Sequence, residues 1–170
     1  PTYALKSPTG TYLGMVGEAT GVVADGVYTI TGGPDSGDGY ERGFMVAGEN
    51  YATYPVLSEI KHSGSTGNSI TPVNNGKNWY VYTNAAGTYI YNIGLGKFLA
   101  NEWGNINFSD VPYAWTIKQN GNYTSIYDES KGDDKKWLSM GCGRTAANRP
   151  VQWDKNKDDG GAQHTFHAVA

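Results

Sequence analysis

The chain has 170 residues, among them 24 glycines, 13 tyrosines and a single cysteine, with 17% charged side chains and a formal net charge of −3. So low and slightly negative a charge excludes the basic footprint of a nucleic-acid or anionic-membrane binder, and no apolar run approaches the roughly 18 residues that span a bilayer. The length suits one domain with a real core, and Cys142, standing alone, excludes an intramolecular disulfide.

Taken in order, the chain reads as short strands between turn formers. Pro1–Leu5 already has strand character, which implies that any signal peptide has been removed or was never included. The stretch from Thr2 to Leu13 can be laid on Thr88 to Leu99 without a gap, and Tyr28-Thr29-Ile30 falls on Trp115-Thr116-Ile117, at offsets of 86 and 87 residues. Trp79 and Phe166 keep the same 87-residue offset. The clearest stretch is Thr88–Ile117. It predicts strands over Tyr89–Asn92, Lys97–Ala100, Ile106–Ser109 and Ala114–Lys118, separated by Gly94/Gly96, Asn101–Asn105 and Asp110-Val111-Pro112. Four repeat units follow, at about 2–32, 38–84, 88–118 and 121–170.

Four short strands per unit, an aromatic opening the fourth strand and a repeat of about 40 residues resemble the β-trefoil, and more narrowly the ricin-type, lectin-like modules of secreted bacterial proteins. Tyr89-Ile90-Tyr91-Asn92, Gly96-Lys97-Phe98-Leu99, Asn101–Asn105 and Ala114-Trp115-Thr116-Ile117 carry the resemblance. The fold expected is all-β, a β-trefoil-like barrel of short-strand repeats in a single domain. Two departures stand against it. The Gln-x-Trp signature is degenerate, with Lys77-Asn78-Trp79, Tyr113-Ala114-Trp115 and Gln163-His164-Thr165-Phe166 in its place. A trefoil also has three lobes, whereas the 86/87 offset favours four units in a two-fold pseudo-symmetric β structure. Both architectures stay open at this point.

Strand alternation places Tyr89, Tyr91 and Ile93 on one face and Ile90 on the other. Leu5, Leu13, Leu99, Trp115, Ile117 and Leu138 are the expected interior, and Trp79, Trp115, Tyr28 and Phe166 the aromatics that recur at equivalent places on the barrel floor.

Trp103 falls outside that register, in the polar loop Asn101-Glu102-Trp103-Gly104-Asn105, with Asn107 and Asp110 nearby. Sugars stack C–H faces on aromatic rings and offer hydroxyls to paired donors and acceptors, so this loop has the composition of a carbohydrate site. The alternative is that Trp103 folds over its lobe and the asparagines make the turn. Trp153, with Asp154, is a second candidate, although alternation puts Gln152 and Asp154 on one face and Trp153 on the other.

Asp154–Gly160 alternates oxygen ligands like a calcium loop, but Asp159 stands where such a loop needs glycine and Thr165 where it needs glutamate. No metal or cofactor is expected. Cys142 with His164 and His167 is the one conceivable nucleophile grouping, in a context that matches no nucleophile signature. The expected function is therefore a non-catalytic glycan-binding module, secreted or at the cell surface. Its partner is a glycan or oligosaccharide, with other domains of a larger parent chain beside it. The alternative is a protein-binding trefoil, such as a protease inhibitor or adhesin-like module, using the insertion around Glu59–Asn68.

Overall fold

Tight turns divide the chain into strands of two to seven residues, too short to stand alone and stable only as members of a closed sheet. A computed structural model describes residues 3–6, 12–16, 22–32, 40–62, 65–102, 105–131, 136–140, 148–153 and 160–169. In order these are β1 (Tyr3–Lys6), β2 (Tyr12–Val16), β3 (Gly26–Gly32), β4 (Tyr40–Arg42), β5 (Met45–Val46), β6 (Val56–Leu57), β7 (Glu59–His62) and β8 (Ser65–Ser69). Then follow β9 (Trp79–Asn84), β10 (Gly87–Asn92), β11 (Lys97–Glu102), β12 (Asn105–Ser109), β13 (Thr116–Asn120), β14 (Tyr123–Tyr127), β15 (Trp137–Ser139), β16 (Val151–Trp153) and β17 (His164–Ala168). One turn of 3-10 helix, Gly160–Ala162, precedes β17.

Among the described residues, six of these strands close a ring. β3 pairs with β9, β9 with β10, β13 with β14, β14 with β17, and β17 with β3. The remaining seam, β10 to β13, is joined at Thr88 and Trp115, which exchange two backbone hydrogen bonds of 2.8 Å. Three hairpins, β5–β6, β11–β12 and β15–β16, complete three sets of four strands. A ring of six with three hairpins is the β-trefoil arrangement, so the fold is all-β and trefoil-like, and closure leaves the barrel no open edge.

The register repeats with the lobes. The first strand of each lobe meets its fourth at Tyr28–Trp79, Thr88–Trp115 and Thr124–His164. Each of those fourth-strand side chains then bonds a second-strand carbonyl. Trp79 Nε1 donates to Met45 O and Trp115 Nε1 to Leu99 O, both at 2.8 Å, and His164 Nε2 lies 3.2 Å from Leu138 O. A carbonyl only accepts, so Nε2 of His164 carries its proton.

This corrects the alignment of Phe166 with Trp79 and of Tyr28 with Trp115. Phe166 pairs with Ile30, two residues further along β17, and packs edge-on against Tyr28 at 5.9 Å, both half-buried beside the core. The physical reason is the carbonyl of Leu138, which needs a donor that imidazole has and a phenyl ring lacks. A slip of two residues keeps the side chain on the same face.

Residues 2–32 do not form one four-strand unit. β1 and β2 pair with each other in a separate two-stranded sheet, and β3 enters the barrel as the first strand of the first lobe. The insertion around Glu59–Asn68 contains a hairpin, β7–β8, that joins β4 in a three-stranded sheet. Ile30, Trp79, Val81, Ile90, Leu99, Ile106, Trp115, Ile117, Ile126 and Leu138 fill the barrel. The outer face of β9–β11 carries a second buried layer, Tyr80, Tyr82, Tyr91 and Phe98 with Tyr89 and Ile93, as the alternation of Tyr89, Tyr91 and Ile93 predicts. The side chains of Leu5 and Leu13 lie outside the described residues.

Candidate functional site

The polar stretch of the second lobe forms the β11–β12 hairpin, where Asn101 opposes Ile106, Glu102 opposes Asn105 and Ala100 opposes Asn107. Opposed residues share a face. Asn101 therefore falls in the inward row with Leu99, Ile106 and Phe108 and is 1% exposed. It belongs to the interior of the lobe and not to the ligand set. Glu102, Asn105 and Asn107 share the outer face and are partly or fully exposed.

Two hydrogen bonds shape that face. Asn107 Nδ2 donates to Glu102 O at 3.3 Å, and Ser109 Oγ donates to Glu102 Oε1 at 3.3 Å, which holds the carboxylate against the hairpin. Asp110, beyond the far end of β12, has an 83% exposed side chain and pairs with Lys97 at 3.7 Å. Five residues of strand separate it from Asn105, about 16 Å at the usual rise. It does not join the hairpin group. Trp103 and Gly104 lie outside the described residues, as do Asp154, Cys142 and the acidic stretch 154–159. Trp153 ends β16 in the third lobe, in register with Trp137. The two candidate groupings thus sit on different lobes.

The structure adds residues that local composition did not single out. Thr53 O accepts the Phe108 amide at 2.8 Å, which docks the 49–55 loop of the first lobe on β12. Arg149, from the third lobe, donates through Nη2 to Asn107 Oδ1 at 2.7 Å and to Ile106 O at 3.1 Å. Its guanidinium lies 3.9 Å over the Tyr54 ring, and Tyr51 stands 5.9 Å from Tyr54. Burial lowers the Arg149 pKa, partly offset by Tyr54. The neighbouring Asn148 ties the third lobe to the first, its carbonyl accepting the Leu57 amide at 3.0 Å. Three lobes therefore converge on one surface. Nothing in the local sequence marks Tyr51, Tyr54 or Arg149 as site residues.

A half-buried brace adjoins the hairpin. Tyr113 donates to Asp128 Oδ2 and lies 3.2 Å from Asn101 O, while Asp128 Oδ1 accepts the Ser130 amide and hydroxyl at 3.0 and 2.6 Å. Burial and then the bond to Asp128 push the Tyr113 phenol up to about 12, so it remains a donor throughout the physiological range. This brace fixes β11 against the start of the third lobe.

A partly exposed tyrosine pair joined through a guanidinium to the amide of Asn107, with Glu102 and Asn105 on the same face of the hairpin as Asn107, can stack an apolar face and bond several hydroxyls. Among the described residues no group of three or more His, Cys, Asp or Glu side chains is placed to hold a metal ion.

No protein-family model and no curated protein matches the chain. Solved structures do match. The GlcNAcα1-4Gal-releasing endo-β-galactosidase from Clostridium perfringens aligns over 85% of this chain and 32% of its own length, at 15% identity and a TM-score of 0.58. A lectin from Polyporus squamosus, solved with the epitope Neu5Aca2-6Galb1-4GlcNAc, aligns over 84% of this chain and 48% of its own, at 15% identity and a TM-score of 0.51. The chain thus spans about a third to a half of the length of these proteins, and at this identity the likeness is one of fold.

Proposed function

We propose that this chain is a non-catalytic carbohydrate-binding module of a secreted or cell-surface protein, with its glycan site on the outer face of β11–β12. The observation that carries this reading is the convergence of Tyr54, Arg149, Asn107 and Glu102 from three lobes on one surface. The ring pair offers a stacking face, Glu102 accepts from hydroxyls, and Asn105 and Asn107 both donate and accept. The fold is shared with a lectin that binds an oligosaccharide and with part of a galactosidase, which supports the reading at the level of fold. Other domains of a longer parent chain would supply any catalysis. Trp103, between Glu102 and Asn105 in the sequence, is the further stacking residue this reading assigns.

The test is a glycan array followed by titration of the best neutral saccharide. Asn107→Ala and Tyr54→Ala, each folded by circular dichroism, are expected to weaken binding about tenfold or more, the loss expected when a buried polar or stacking contact is removed. Retention of no glycan by the wild type, or unchanged binding in both variants, would overturn the assignment.

A further inference from the structure

The sequence holds two Asn-Gly pairs, Asn75-Gly76 and Asn120-Gly121. An asparagine carboxamide is open to attack by the backbone nitrogen of the next residue, and a glycine there puts no Cβ in the way. The fold treats the two pairs oppositely. Gly76 is buried, its amide donates to Val73 O at 2.7 Å, and its carbonyl accepts from the Ala47 amide and from Asn92 Nδ2, both at 2.8 Å. Even a Cβ at Gly76 would sit 2.5 Å from Ala47 O. Its nitrogen is engaged and held in place.

Asn120 ends β13 opposite Tyr123, which leaves Gly121 and Asn122 as the turn of the β13–β14 hairpin. Both are exposed, Gly121 has a φ of 62°, and nothing lies within 4 Å of where its Cβ would be. Its carbonyl accepts from Gln119 Nε2 at 2.6 Å, while its amide makes no hydrogen bond among the described residues. The Asn120 carboxamide has a structural task. Nδ2 donates to Ser125 Oγ at 3.1 Å, and the buried Ser125 donates its hydroxyl proton to Ala162 O at 2.7 Å. This relay fastens the β13–β14 hairpin to the 3-10 turn that precedes β17.

We propose that Asn120 is a site of spontaneous deamidation, through a cyclic imide formed with Gly121, and that the modification dismantles this relay. The Gly121 amide nitrogen, losing its proton to solvent, attacks Asn120 Cγ. A C–N bond forms, the Cγ–Nδ2 bond breaks and ammonia leaves. Water then opens the imide at either carbonyl, giving aspartate or isoaspartate, so one water enters and one ammonia departs overall. A carboxylate accepts hydrogen bonds but donates none, so neither product restores the bond from Nδ2 to Ser125. Isoaspartate also routes the backbone through the side-chain methylene, which lengthens the chain where Asn120 pairs with Tyr123. The inference stands independently of the carbohydrate reading.

The test follows the whole folded chain in mildly alkaline buffer at body temperature by peptide mapping, with mass spectrometry that separates aspartate from isoaspartate. Asn120 is expected to convert about tenfold or more faster than Asn75, because attack at Asn75 waits for local opening around Gly76. The same chain unfolded in urea is expected to convert both at comparable rates, which assigns the difference to the fold and not to the flanking residues. Isoaspartate should accompany aspartate at Asn120. The deamidated fraction, resolved by anion exchange, is expected to unfold at a lower urea midpoint than its parent, and Asn120→Asp, which loses the same donor without imide chemistry, should shift the midpoint in the same direction. Equal or reversed rates in the folded chain, a product free of isoaspartate, or an unchanged midpoint in both the deamidated fraction and Asn120→Asp overturns the proposal.

Discussion

Single side chains carry the three-fold logic of this barrel, and His164 is the informative one. It does for the third lobe what Trp79 and Trp115 do for the others, but it brings a second ring nitrogen into the core. It is fully buried, and Nδ1 has no hydrogen-bond partner among the described residues. Burial, with Arg42 nearby adding like charge, lowers its pKa from 6.5 to about 4, against a smaller opposing effect of the Leu138 carbonyl. The unfolded chain therefore binds a proton between these values while the folded chain does not. Stability is full above pH 6.5 and falls as pH drops toward 4, by about 3 kcal/mol from this residue. Chemical denaturation from pH 7 to pH 4 should show that decline, and His164→Phe, though less stable at pH 7, should lose this component of the slope. An identical slope in both proteins would sink the assignment. Trp115→Phe tests the matching bond in the second lobe. It leaves the Leu99 carbonyl without its donor and is expected to cost about 1–3 kcal/mol, read from the urea midpoint.

Among the elements, the seam between β10 and β13 is the narrowest point of the ring. It rests on the two bonds between Thr88 and Trp115, and the residue that lets the strands approach is Gly87. Its φ of 144° is one that L side chains rarely adopt, and a Cβ there would sit 2.7 Å from Trp115 O. Gly87→Ala should destabilise the fold by about 2 kcal/mol or more through backbone strain and a spread seam, with a lower melting temperature as the readout. A melting temperature equal to wild type would show that the seam tolerates separation. The β11–β12 hairpin illustrates how far elements can be read locally. Alternation across Phe98–Glu102 and Asn105–Ser109 separates inward from outward residues, so once the register is known Asn101 goes to the interior and Glu102, Asn105 and Asn107 go outside.

For the whole molecule, strand content, turn positions and the two-faced pattern of Tyr89–Ile93 follow from residue order alone, because alternation and turn chemistry act over a few residues. The resemblance to a trefoil was legible on the same basis. The number of lobes was not, since the offset of 86 and 87 residues matched strands that pair in different ways once the ring closes. Tyr28 shows this: its sequence neighbourhood resembles that of Trp115, yet in the barrel it faces Trp79. The site was legible in part for the same reason. Glu102, Asn105 and Asn107 are close in sequence and stay close in space, whereas Tyr54 and Arg149 reach Asn107 only because hairpins and loops of three lobes meet. The sequence by itself determined an all-β chain of short strands and a polar hairpin rich in sugar-compatible side chains, because those properties are local. Only the tertiary structure decided the three-fold closure, the role of His164 and the partners of Asn107, because a closed sheet sets its contacts by register around the whole ring.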